Sequence, residues 1–267
     1  MAKARKTPAR YDAIIEKIFQ RHYQEGLNSF EFSRSEFAEV ATDLGIVLPK
    51  NLGDVLYSFR FRKNLPLAIS STAPEGYGWL IELAGYGNYR FRLSQINRII
   101  PNPNFKQIKI PDSTPEIIVK YAMNDEQALL AKVRYNRLID IFLGITTYSL
   151  QNHLRTTVTN IGQIEIDEIY VGINRNGTHF VIPVQAKTGS DQLGVVQTRQ
   201  DIACCREKFP QLICRPISAQ FMANNTIALF ELTLEDDDIK VVEEKHYRLV
   251  PAAEISSEEL LSYQMRE

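Results

Sequence analysis

The sequence predicts a mixed α+β and α/β chain in two parts: short helices closing on a β-hairpin, then a mixed sheet flanked by helices. Three observations carry this. Apolar residues recur at helical spacing in three short segments before residue 65, and an alternating strand pair follows at 78–94. Four of the twelve prolines fall between residues 99 and 118, which suits a linker. Residues 163–187 then read as two alternating strands joined at Asn176-Gly177. The expected boundaries are 1–98, 99–118 and 119–267.

The first helix spans residues 11–25, with Ile14, Ile15, Ile18 and Phe19 on one stripe and Gly26 as its stop. The second follows Ser33, whose partner Glu36 three positions on forms a capping box, and buries Phe37, Val40, Ala41 and Leu44. The third runs through 50–64 with Leu52, Val55, Leu56 and Phe59 inward. Strands at 78–84 and 89–94 flank a Gly-Tyr-Gly-Asn turn, and Arg90 and Arg92 share one face of the second. Three short helices and a hairpin are the plan of a winged helix-turn-helix domain. The third helix and the hairpin would then offer Lys50, Asn51, Arg60, Arg62, Lys63, Arg90 and Arg92 to double-stranded DNA, phosphate and guanine being what such side chains recognise. The competing reading is a solvated basic face on a structural domain.

Charge supports a division of labour. The net charge of −1 argues against a protein that coats nucleic acid, yet residues 1–110 hold 16 Lys and Arg against 10 Asp and Glu, and the remainder 15 against 22. A hydrophobic share of 44% and a charged share of 24% exclude a largely disordered chain. The apolar runs are too short to span a bilayer and no apolar segment follows the basic start, so no membrane partner and a cytoplasmic location are expected. Cys204, Cys205 and Cys214 have no metal-ligand spacing and read as buried thiols.

In the second part a helix is expected over 126–144, a strand over 146–158, the hairpin, a helix over 191–209, and strands over 212–221 and 226–234. A two-residue type I′ turn at Asn176-Gly177 would set Ile173 opposite Phe180, Val171 opposite Ile182 and Ile169 opposite Val184. Ile164 and Ile166 fall out of step with these, so a β-bulge is expected at Asp167-Glu168. It would aim a carboxylate at the face carrying Gln185 and Lys187. The bland reading is a cross-strand salt bridge, worth about 0–1 kcal/mol if exposed.

These residues resemble the motif of the PD-(D/E)xK nuclease superfamily, which includes many type II restriction endonucleases. That motif has an acid on one strand and [acid]-x-Lys closing the next. Here it reads Asp167 followed by Gln185-Ala186-Lys187, with Gln185 where the family usually has an acid. The order of elements over about 125–220 matches the family core. The resemblance implies a restriction-endonuclease-like core and a Mg2+-dependent DNA endonuclease, as a homodimer. Asp167, Gln185 and the Ala186 carbonyl would hold the metal, Glu165 or Glu168 would assist, and Lys187 would orient the attacking water. Some relatives place another acid where Glu126 stands, although a first-turn glutamate favouring the helix dipole is the preferred reading. The alternatives are a non-catalytic winged-helix regulator and a DNA repair or junction nuclease.

Overall fold

Helix α1 (Arg10–His22) forms because Ile14, Ile15, Ile18 and Phe19 make one apolar stripe, and all four are buried. The computed structural model describes residues 10–61, 63–95, 99–123, 126–188, 194–236 and 238–264. The chain divides into two compact units, one of residues 1–97 with 157–163 and the other of 98–156 with 164–267.

In the first unit, α1 leads into strand β1 (Ser29–Ser33), helix α2 (Arg34–Asp43), helix α3 (Leu52–Phe61) and the single turn α4 (Leu67–Ser70). Strands β2 (Tyr77–Leu83) and β3 (Asn88–Gln95) complete a three-stranded sheet in the order β1-β3-β2. Glu36 reaches back to accept the Ser33 N–H at 2.8 Å, the contact the capping box predicts. Gly85 and Gly87, at φ +105° and +73°, make the β2–β3 turn possible, since side-chain-bearing residues rarely adopt such backbone. The core is aromatic: Phe19 meets Phe91 and Trp79 edge-on at 5.1 and 5.2 Å between ring centroids. Strand β1 escaped the sequence reading because its Phe30 and Phe32 lie immediately before a strong helix signal.

The second unit is a mixed α/β layer structure. Its elements are strand β4 (Gln107–Pro111), helices α5 (Glu116–Tyr121), α6 (Glu126–Tyr135) and α7 (Leu138–Leu143), strands β5 (Thr146–Val158), β6 (Gly162–Ile173) and β7 (His179–Lys187), helix α8 (Val195–Lys208), strands β8 (Ile213–Cys214), β9 (Ile217–Met222), β10 (Thr226–Glu235) and β11 (Asp238–Val250), and helix α9 (Ser257–Gln264). The sheet runs β4-β11-β10-β9-β7-β6-β5, with β8 also on β7. Strands β6 and β7 are antiparallel, whereas β7 and β9, joined through α8, are parallel. On one face Tyr170, Ile182, Val184, Ala186, Ile217 and Ala219 pack with Leu129, Leu130 and Val133 of α6 and Leu138 and Phe142 of α7. On the other, Ile169 and Val181 meet Cys205 of α8, and Ala228 and Phe230 meet Ile202 of α8.

Four expectations are corrected. The proline-rich stretch 99–118 is not a free linker: Gln107–Pro111 pairs in parallel with β11 at the sheet edge, which its alternating Ile108 and Ile110 allow. The helix expected over 126–144 is two helices. Asn136 turns its amide back onto the Lys132 carbonyl at 2.9 Å, and Arg137 adopts φ +50°, ending the first helix. The hairpin turn is one residue longer than a type I′ turn. The Gly177 N–H donates to the Asn174 carbonyl, Gly177 alone has positive φ (+78°), and Ile173 pairs with His179 rather than Phe180. The Asn174 side chain accepts the Asn176 and Thr178 N–H groups and holds this wider loop. Finally, the β6–β7 register runs without a shift to Glu168↔Val184, so the ladder contains no bulge at Asp167-Glu168. Ile164, Ile166, Glu168, Tyr170 and Gly172 keep a single buried phase, with Glu168 at a core-facing position.

Candidate active site

The β6–β7 ladder stops at Glu168↔Val184, but β7 continues beside β9 from Val184↔Ile217 to Lys187↔Gln220. The two strands therefore part at Asp167. The Ala186 N–H, no longer taken up by a β6 carbonyl, donates to Asp167 Oδ2 at 2.9 Å. A carboxylate is thus fixed against the end of β7 by backbone geometry.

Gln185 and Lys187 lie on the face covered by α8, since Ala186 between them packs into the opposite core. Gln185 is 3% exposed, and its Nε2 donates to Asp201 Oδ2 at 2.8 Å. Asp201, on α8, is itself 2% exposed. The Gln185 Oε1 is buried and has no hydrogen-bond partner among the described residues. Lys187 Nζ donates to Glu126 Oε1 at 3.4 Å, a long contact, from the first turn of α6. The ion pair of Lys187 is therefore with Glu126 and not the cross-strand link to Asp167 that the bland reading supposes.

Electrostatics marks the same place. Burial pushes the Asp167 carboxyl above its usual range; the Ala186 N–H and the Lys187 ammonium oppose this, while Glu126 and Glu165 add to it. Burial raises Asp201 further, opposed by the Gln185 amide and Lys187, and reinforced by Asp167. Two neighbouring buried carboxyls held above their ordinary range are a pattern that functional sites display.

The structure thus gathers Asp167, Gln185, the Ala186 backbone and Lys187. Glu165 shares the Asp167 face but is bound to His153 Nδ1 and Arg155 Nε, both at 3.1 Å. Glu168 is not part of the site. Strand alternation turns it to the opposite face, where it is fully buried, accepting from Arg134 Nε at 2.9 Å and Ser149 Oγ at 2.5 Å. Asp201 was missed by the sequence reading, although its position offered a signal. It sits four residues before Cys205 on the buried stripe of α8, where an acid is out of place. Gln200, beside Asp201 on α8, is buried as well. Among the described residues no three acidic, histidine or cysteine side chains form a cation cage by themselves.

The basic candidates of the first unit have separate fates. Lys50 and Asn51 are exposed, and Asn51 Oδ1 accepts the Gly53 N–H at 3.1 Å. Lys63 is ion-paired with Asp12. Arg90 bonds Glu31 at 2.6 Å across the sheet, and Arg92 bonds Glu82 at 3.1 Å with both side chains largely enclosed. Burial pushes the partly enclosed Arg60 guanidinium down to about 10, against the pull of Tyr89, Tyr57 and Glu82. Arg62 lies outside the described residues.

No helix among the described residues is long and apolar enough to cross a membrane. Neither protein-family models nor curated proteins nor solved structures match the chain.

Proposed function

We propose that the second unit is a Mg2+-dependent deoxyribonuclease of the PD-(D/E)xK type, most consistent with a type II restriction-type endonuclease acting on duplex DNA. The observation that carries this is the convergence of Asp167, Asp201, Gln185 and Lys187 where β6 and β7 part. The element order also supports it: helix, three consecutive neighbouring strands, helix, then a strand parallel to the lysine-bearing one.

The donor set fits a hard divalent cation. Mg2+ is commonly held by one or two carboxylates with the remaining positions left to water, so a three-acid cage is not required. Asp167, the buried Gln185 Oε1 and the Ala186 carbonyl would hold it, and Asp201 would supply from α8 the negative charge that position 185 lacks. When bound, the ion neutralises charge building on the phosphate and lowers the pKa of coordinated water. The chain supplies the rest. The Asp167 carboxylate is oriented by the Ala186 N–H, and Asp201 holds the Gln185 amide so that its oxygen, not its nitrogen, is free to bind. Lys187 donates hydrogen bonds to the attacking water or to the developing oxyanion. Glu126 keeps the ammonium in place meanwhile.

For the first unit, the order α1-β1-α2-α3-α4-β2-β3 with sheet order β1-β3-β2 supports a winged helix that grips DNA. Lys50 and Asn51, exposed ahead of α3, are the candidates best placed to reach it. Symmetrical double-strand cutting would call for a homodimer.

The test is incubation with plasmid DNA, with Mg2+ or with chelator, for the native chain and Lys187→Ala. Metal-dependent cutting that Lys187→Ala abolishes supports the reading, and fixed bands would add sequence specificity. Metal-indifferent DNA binding without cutting would favour a non-catalytic regulator. A preference for branched over linear duplex would favour a repair or junction nuclease.

A further inference from the structure

Strand β9 carries a residue that the motif does not include. Gln220 pairs with Lys187 in the parallel β7–β9 ladder, so the two residues stand at one level on adjacent strands with their side chains on the same face. Three neighbours fix which face that is. Ala219 belongs to, and Phe221 packs against, the core under α6 and α7, and Ala228, which pairs with Gln220 on the other side, belongs to the cluster under α8. Gln220 therefore shares the α8-covered face with Gln185 and Lys187.

Its amide oxygen is buried and has no hydrogen-bond partner among the described residues, the same condition as the Gln185 oxygen two residues along the neighbouring strand. A buried acceptor left unmade costs about 1–3 kcal/mol, whereas an apolar residue of similar shape would carry no such cost. A leucine would suit the cluster of Ala228 and Phe230 beside it. A glutamine at this position is explained by a partner that arrives from outside the chain. The cation at its level on the adjoining strand is Lys187, whose contact with Glu126 is long at 3.4 Å.

We infer that Gln220 is a positioning residue of this site: its Oε1 accepts a hydrogen bond from the water that Lys187 holds for attack. An ammonium alone fixes one direction of a water molecule. An acceptor beside it fixes a second, turning the oxygen lone pair toward the phosphate. Gln220 neither takes the proton nor touches the metal. The inference rests on the nuclease reading above.

The experiment compares the native chain, Gln220→Leu and Gln220→Glu, all full length, in three measurements. Plasmid cleavage gives kcat and KM, calorimetric titration gives Mg2+ affinity, and thermal unfolding gives stability. Gln220→Leu is expected to melt higher than the native chain, because a buried unsatisfied oxygen is gone, yet to lose about tenfold or more in kcat, with KM and Mg2+ affinity unchanged. Gln220→Glu, which keeps an acceptor at the same reach, is expected to recover most of that loss. A merely structural glutamine would not couple higher stability to lower kcat, nor be rescued by glutamate. A Gln220→Leu protein that is folded, binds Mg2+ and cuts at the native kcat overturns the inference while leaving the nuclease reading intact. A native chain that neither binds Mg2+ nor cuts DNA removes both.

Discussion

Gln185 and Asp201 are joined by a 2.8 Å N–H···O hydrogen bond between side chains 3% and 2% exposed, and this bond decides which end of the amide is free. Against an ionised Asp201, which only accepts, the amide presents its nitrogen and keeps its oxygen for the site. Gln185 of β7 is thus paired with an acid from a different element, α8. In the proposed nuclease, charge and ligand geometry would be divided between these two residues.

Restoring the acid should therefore have opposite effects on affinity and stability. Gln185→Glu brings three carboxyls together, loses the Asp201 hydrogen bond and places like charges in a buried setting. Mg2+ affinity is expected to rise and the melting temperature of the metal-free protein to fall. Calorimetric titration and thermal unfolding on the same preparation check both.

The pH dependence of stability follows from the same groups. Asp167 and Asp201 are both held above the ordinary 3.8 by burial, so the folded chain keeps their protons more tightly than the unfolded chain. Stability from this source is fully present below 3.8 and is lost as pH rises through the raised folded values. Metal-free Asp201→Asn, which removes the charge and keeps an oxygen to accept the Gln185 bond, should be the more stable protein at neutral pH. The difference should shrink in mild acid. Each ~1 kcal/mol would appear as roughly 2–4 °C in melts run across the pH series. Saturating Mg2+ should stabilise the native chain at neutral pH more than Asp201→Asn.

Glu168 is expected to matter for folding only. Arg134→Met would strand a fully buried carboxylate, at a cost of about 3–5 kcal/mol. Chemical denaturation should report that loss, while Mg2+ affinity of the remaining folded protein stays at the native value. Loss of metal binding without loss of stability would return Glu168 to the site.

In the first unit, exposed and engaged basic residues should part company. Lys50→Ala is expected to weaken DNA binding evenly across sequences and to reduce the slope of log affinity against log salt by about 1. Arg92→Ala should act mainly on stability, since it leaves the largely enclosed Glu82 without its 3.1 Å partner. Fluorescence anisotropy in a salt series, alongside thermal melts, separates the two.

How much of this was legible beforehand depends on the range of the cause. The stripe of Ile14, Ile15, Ile18 and Phe19, the Ser33–Glu36 cap and the alternating runs of β5, β6 and β7 are local patterns, and each element formed where its pattern stands. The meeting of Asp167 with Gln185 and Lys187 was expected from a bulge; the bulge is absent, and the one-residue change of hairpin register puts all three on one face instead. The hairpin register was not legible, as the Asn174 side chain widens the turn by one residue. Nor was the location of Glu168. Its acid character matched a site, but its parity sent it into the core, where Arg134 from a helix distant in sequence compensates it.

What the sequence determined by itself was therefore a set of elements, a two-part organisation and a short list of chemically suitable side chains, all products of spacing within a dozen or so residues. Only the tertiary structure decided that Asp201 joins the site, that Glu126 holds Lys187, and that Gln220 stands beside it. Those relations arise where α6 and α8 pack against the sheet and where β9 joins it beside β7. Such packing depends on burial and strand order between segments far apart in the chain, which no local periodicity encodes.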